Sequence, residues 1–367
     1  MQSHKSDIYF VGGVGVLLAF GLLMLFSASS PESYTIYNTP YFFIRRQVLL
    51  GAIPGFALFY LFSRMDFNLW QRFAKPFFLF SLLLLVLVLI PGIGGNFGTA
   101  HSWFSLFGLS FQPSELMKLA LIIFLAAWLG RLEKDNFLDW QKSLLPFLVV
   151  LGIIGLLLIK QPDLGTFLVV FIICLAMYFS AGGRIIHLVG IVIASIAGFI
   201  SVISMSSYRA QRILSFLNPK EDVLGIGYHI NQALLAVGSG GFWGLGWGRS
   251  RQKFQYLPEV SADSIFAIIG EELGFVISVI FLGLLAFIFF RGLKIAETSP
   301  NKFGKLIVVG VMAWFLGQSF LNIGAMVGLL PLTGLPLPLV SHGGSAMMIL
   351  LAAFGVVANI SKSTTEK

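Results

Sequence analysis

Glu115, Lys118, Asp163, Glu271 and Glu272 lie inside or at the edge of long apolar runs, and Asp263 stands where a polar stretch gives way to another such run. An ionised side chain at membrane depth is costly, so such residues usually face a cavity or a partner and mark a pathway or a reaction. Carboxylates in such places offer two kinds of chemistry. One alone can take a proton from a hydroxyl, and several together present hard oxygen ligands to Mg²⁺ or Mn²⁺. Asp263, Glu115 and Asp163 are the three that could form a metal-binding set. Asp263 sits at a water–lipid boundary, where partial desolvation strengthens a carboxylate as a base. Capping of the following helix is the competing reading, because Asp before a helix commonly accepts first-turn amides. Glu115 and Lys118 are three apart on one helical face, and they either neutralise one another or touch a polar ligand. Asp163 follows Pro162 and would serve equally as an N-cap. Glu271 and Glu272 fall in the first turns of an apolar run, where one is expected to pair with a cation or cap a neighbour.

Ten apolar stretches must position these residues: 8–28, 47–63, 76–92, 114–130, 144–160, 164–182, 185–205, 264–290, 306–327 and 342–360. Each approaches the ~20 residues that cross ~30 Å of hydrocarbon. Charged residues make up 11% of the 367-residue chain and hydrophobic ones 57%, whereas soluble domains are about a quarter charged. The expected fold is an all-α polytopic membrane protein of about ten transmembrane helices. Residues 1–367 form one unit, with 206–263 as its long extracytoplasmic loop. The single Cys174 excludes a disulfide framework and thiolate metal sites. The net charge of +8 fits positive cytoplasmic loops and implies no nucleic-acid partner. Met1–Asp7 is short and polar, and Ile8–Phe26 is long enough to stay as an anchor rather than a cleaved signal.

Lys and Arg cluster in the connections on the N-terminal side, among them Arg64, Arg72, Lys75, Arg131, Lys142, Arg184, Lys294 and Lys305, while 92–113 and 328–341 carry none. This distribution places both termini in the cytoplasm and 206–263 outside. The long segment opens with Arg209 and Arg212, three apart, and continues through a glycine-dense region from Gly225 to Gly248. Arg forks fit pyrophosphate and glycine-rich amides can cradle it; flexible or re-entrant backbone is the plainer reading. Arg45 and Arg46, followed by Gln47, precede the second span on the same side. They could grip a lipid-linked phosphate or simply anchor the interface. Trp103, Trp243 and Trp247 read as interfacial belt residues.

The motifs Gly108-Leu-Ser-Phe-Gln-Pro-Ser-Glu-Leu116, Gln161-Pro-Asp-Leu-Gly-Thr166, Gly227-Tyr-His-Ile-Asn-Gln232, Tyr256-Leu-Pro-Glu259, Ile268-Ile-Gly-Glu-Glu-Leu-Gly-Phe275 and Gly334-Leu-Pro-Leu-Pro-Leu-Val-Ser-His-Gly-Gly-Ser345 run in this order through most of the chain. In them the sequence resembles the SEDS family, and Ser250-Arg-Gln-Lys-Phe-Gln-Tyr-Leu-Pro-Glu259, Gln232-Ala-Leu-Leu and Asn359-Ile-Ser361 resemble its division branch (FtsW) more than its elongation branch (RodA). The resemblance implies a peptidoglycan glycosyltransferase that polymerises lipid II at the outer face of the bacterial cytoplasmic membrane, with undecaprenyl pyrophosphate leaving. It implies a class B penicillin-binding protein and other divisome proteins as partners, and a place at the septum. Asp263 matches the family's Asp, usually within Thr-Asp-Phe, and becomes the candidate base. Glu115, Lys118, Asp163, Gln161, Arg45, Arg46, Arg209 and Arg212 become candidate substrate contacts. Ala262 and Ser264 depart from the pattern, as do His342, where Tyr is usual, and His101-Ser102 beside Trp103. A lipid II flippase and an elongation-type polymerase are the alternatives; no internal repeat between the halves supports alternating access.

A cysteine introduced at Ser239 is expected to react with a membrane-impermeant thiol reagent in intact cells, and one at Ser299 is not. The opposite pattern inverts the topology.

Overall fold

The computed structural model describes residues 6–91, 94–97, 100–106, 109–204 and 226–363. Helices occupy all ten expected stretches. In chain order they are α1 (Ile8–Tyr37), then α2 (Phe42–Gln47) running through a π turn at Val48–Ala52 into α3 (Ile53–Phe62), and α4 (Phe67–Leu87). After these come α5 (Pro113–Leu129), α6 (Leu144–Lys160), α7 (Leu164–Ser180) and α8 (Ile185–Ser204). A helix inside the long connection, α9 (Ile226–Ser239), precedes α10 (Ile265–Thr298), α11 (Lys302–Met326) and α12 (Gly344–Ser361). Six spans among the described residues are long and apolar enough to cross a membrane, and three shorter apolar helices accompany them. The connection before α5 adds what apolar periodicity does not reveal: a three-stranded antiparallel sheet of β1 (Gly95–Phe97), β2 (Ala100–Leu106) and β3 (Leu109–Phe111), with Phe104 opposite Phe111.

Side chains and small residues set the packing. Asp7 caps α1 by accepting from the Phe10 amide at 2.9 Å, and it also binds Arg291 of α10 at 2.7 Å. Its own amide donates to Ser361 Oγ at 2.9 Å, so the start of α1 and the end of α12 meet against α10 there. Glycines let α3 and α12 approach closely, as membrane helices commonly do: a Cβ on Gly55 would meet Leu351, and one on Gly355 would meet the Phe59 backbone. The most central helix is α11, packed on α5, α7, α10 and α12.

The decisive local feature is a break in α10. Gly274 takes φ 75° and ψ −175°, outside any helix, a conformation that only glycine adopts without strain. Backbone groups freed in an apolar bundle need protein partners, and residues 240–246 supply them. The carbonyls of Glu271 and Glu272 accept from the amides of Leu245 (3.0 Å) and Gly246 (2.9 Å). The amides of Phe275 and Val276 donate to Gly241 (2.9 Å) and Phe242 (3.2 Å). Contact is so close that a Cβ on Gly244 would run into the Glu272 backbone. Residues 240–246 are therefore packed backbone and not a flexible loop.

Gly274→Ala forces a side chain into the left-handed region and against the backbone of Trp243 and Gly244. It is expected to lower stability by about 1–3 kcal/mol from the backbone strain alone. Thermal unfolding in detergent reads this, and an unchanged midpoint would show that the break tolerates a Cβ.

Candidate active site

Four parts of the chain grip the short segment Ser261–Ser264. The Ser261 Oγ donates to Glu32 of α1 at 3.2 Å, and the Ser261 carbonyl accepts from the His342 amide at 2.8 Å. Asn322 of α11 donates from Nδ2 to the carbonyls of Asp263 and Leu335, each at 2.7 Å. The Ser264 Oγ meets His229 Nε2 of α9 at 2.7 Å. Asp263 is 9% exposed at the start of α10. The N-cap position itself belongs to Ser264, whose side chain makes no capping bond, so Asp263 stands one residue before the cap.

Asn322 also ties this segment to the buried charges. One helical turn earlier, about 6 Å along α11, Gln318 Oε1 accepts from Lys118 Nζ at 2.9 Å and from Trp314 Nε1 at 2.8 Å. Lys118, 0% exposed, pairs with Glu115, 1% exposed, at 2.8 Å, and its ammonium lies 4.6 Å over the Trp314 ring. Gln318, Asn322 and Trp314 escape a reading by charge, because neutral polar residues barely disturb an apolar run. Their spacing of four along one helix was the available signal. Glu115 Oε2 has no hydrogen-bond partner among the described residues. Beside it lies a cavity of about 10 Å³ walled by Gln318, Pro336, Ser341 and Gly343, room for at most one water.

The remaining expected site residues are placed less centrally. Asp163 caps α7, accepting from the Thr166 amide at 3.0 Å, and its other oxygen accepts from Gln112 at 3.2 Å. Gln161 is buried and donates to the Leu85 carbonyl at 3.0 Å, tying α4 to the α6–α7 turn. Arg45 is exposed and Arg46 half-buried in the last turn of α2. The next residue, Gln47, is buried and holds the Ser341 carbonyl and the Gly343 amide. Arg209 and Arg212 lie outside the described residues. His342 stands edge-on to Phe43.

Two possibilities raised by the sequence are not met. Among the described residues no group of three or more His, Cys, Asp or Glu side chains converges to hold a metal ion. Glu115 already faces Lys118, and both oxygens of Asp163 have protein donors, so the proposed Mg²⁺ or Mn²⁺ set of Asp263, Glu115 and Asp163 is not assembled. The amides at the end of the glycine-dense region and just beyond it already hold the protein's own carboxylates. Glu272 accepts from the amides of Gly248 (3.0 Å) and Ser250 (3.3 Å), while Glu271 accepts from those of Arg251 (2.9 Å) and Gln252 (3.3 Å). The expected cation partner is Lys253, 2.7 Å from Glu272, with Ser27 of α1 completing the cluster. What the folded segment offers outward is an open depression of about 500 Å³ lined by Arg249, Arg251, Gln252, Phe254 and Tyr256.

Comparison with known proteins bears on this arrangement. Residues 9–366 match the model of the FtsW, RodA and SpoVE family, described as cell cycle protein. The chain is 41% identical over 361 residues to stage V sporulation protein E of Bacillus subtilis, covering 98% of each. It is 38% identical over 357 residues to a probable peptidoglycan glycosyltransferase FtsW of Trichlorobacter lovleyi, covering 97% of this chain and 93% of that one. Its fold matches a chain from a peptidoglycan synthase complex, solved for its coordination of polymerization and crosslinking, with a TM-score of 0.78 and 28% identity over 97% of both chains.

Lys118→Met, leaving Glu115 buried without its cation, is expected to destabilise the protein by about 3–5 kcal/mol. Adding Glu115→Gln should restore much of that loss. Equal melting temperatures for the single and double variants would show that the two charges do not act as a pair.

Proposed function

The chain belongs to the cell cycle protein family of FtsW, RodA and SpoVE, and from that premise we propose that it polymerises lipid II into glycan strands at the outer face of the cytoplasmic membrane. Relatives named as peptidoglycan glycosyltransferases, 38% identical over nearly the whole chain, support the activity. Relatives named stage V sporulation protein E and FtsW, 41% and 38% identical, support a division-type role at the septum. The likeness to a synthase complex supports assembly with a class B penicillin-binding protein.

The observation that carries the mechanism is the placement of Asp263. Its backbone carbonyl is held by Asn322, and its side chain is largely buried at the head of α10. Asp263 takes the proton from the acceptor sugar hydroxyl as that oxygen attacks the anomeric carbon of the lipid-linked donor. The glycosidic bond forms as the bond to undecaprenyl pyrophosphate breaks. Exposed arginines on the same end of the bundle, Arg45, Arg249 and Arg251, suit the departing pyrophosphate through forked, charge-assisted hydrogen bonds. Half-buried Arg46, Arg209 and Arg212 are further candidates for that contact, with Asp163 and Gln161 nearer the α6–α7 turn. Contact of Glu115 or Lys118 with substrate requires the Pro336–Ser341 wall to move, since no space for a sugar lies beside them.

Asp263→Asn keeps the shape of the side chain and removes the base. Polymerisation of lipid II in complex with the penicillin-binding partner is expected to fall ~10²–10⁴-fold, with assembly of the complex unchanged. A near-normal rate in a well-assembled Asn variant moves the base elsewhere.

A further inference from the structure

We infer that His229 positions the Asp263 carboxylate through the hydroxyl of Ser264, a role that rests on reading Asp263 as the base. The Ser264 Oγ is buried among three polar atoms: His229 Nε2 at 2.7 Å, the Pro258 carbonyl at 2.8 Å and Asp263 Oδ1 at 3.4 Å. A hydroxyl carries one proton, and a carbonyl or a carboxylate can only accept. The Ser264 proton therefore serves the Pro258 and Asp263 side, as a donor shared between a short branch and a longer one. The Nε2–H of His229 donates into the serine oxygen. With the other imidazole tautomer, Ser264 would turn its proton to His229 and leave both acceptors on the far side without it. His229 thus keeps the Ser264 proton on the side of Pro258 and Asp263.

Two further observations point the same way. Serine at an N-cap normally turns its oxygen to the first-turn amides, yet Ser264 occupies the cap of α10 without making that bond. Its hydroxyl is withheld for His229, Pro258 and Asp263. His229 in turn is carried by a firm platform, since Ile230, Ala233 and Ala236 of α9 are buried and α9 packs along α10.

The test is steady-state polymerisation of labelled lipid II by the chain in complex with a class B penicillin-binding protein, read as kcat and KM. His229→Phe keeps bulk and loses the donor; kcat is expected to fall roughly tenfold, the scale of a lost hydrogen bond to a charged group, with KM unchanged. His229→Gln, whose amide can donate to Ser264, should recover most of the rate. Ser264→Ala should lose at least as much as His229→Phe, and combining the two should add nothing beyond Ser264→Ala, because His229 acts only through that hydroxyl. Parental kcat in the single variants, or losses that multiply, overturns the positioning role. If His229→Phe does not assemble with its partner, Ser264→Ala against Ser264→Thr carries the comparison, and equal rates for those two overturn the role. Asp263→Asn run alongside separates the premises. Its inactivity with an additive cycle removes only the His229 link, whereas its activity removes the base assignment on which that link depends.

Discussion

A helix broken inside an apolar bundle frees amides and carbonyls that hydrocarbon cannot satisfy, at a cost of several kcal/mol for each group left alone. The break at Gly274 in α10 is matched by the backbone of residues 240–246, which enters the bundle to meet it. Glu271 and Glu272, immediately before the break, extend the same requirement to their side chains. Each carboxylate is buried, and each is held by amides of residues 248–252, with Lys253 supplying the compensating charge. Two carboxylates buried without these partners would oppose folding, so the segment from Gly240 to Lys253 has one place to go.

Docking of that segment also fixes the stretch of chain between it and α10. From Lys253 the backbone turns through Pro258 and Glu259 to Ser261, and is held there by Glu32 and His342 before α10 begins. Asp263 is thus delivered by the same element whose break organises the loop. Asn322 holds its carbonyl from the central helix, and Gln318 on the next turn holds the Lys118–Glu115 pair. Gly21 completes this end, since any Cβ there would strike the backbone of Leu339 and Val340. The threaded segment before α12 passes through that contact and is pinned by Gln47 at Ser341 and Gly343.

Long apolar runs made the ten spans readable, because hydrophobic length is set locally. Their ends were less readable. Helix α1 continues to Tyr37 through Ser27, Ser29 and Ser33, polar residues that are tolerated because they are buried against protein. The pairing of Glu115 with Lys118 and the capping by Asp163 could be anticipated from spacing of three or from one neighbouring proline. The partners of Glu271, Glu272 and Ser264 could not, since each contact joins segments that only the folded bundle brings together. The short strands at 95–111 lacked a sustained alternation, and Gln318 and Asn322 lacked charge. Asp263 stood out by position, yet its surroundings depend on four distant stretches of the chain.

Glycan synthesis by the chain itself is the central claim, and reconstitution tests it most directly. The purified protein, in liposomes with a class B penicillin-binding protein whose crosslinking activity is blocked, is supplied with labelled lipid II. The products are then resolved by size. Polymeric glycan that requires this chain is the predicted result. Lipid II that crosses the bilayer without being polymerised would contradict the account and identify a transporter.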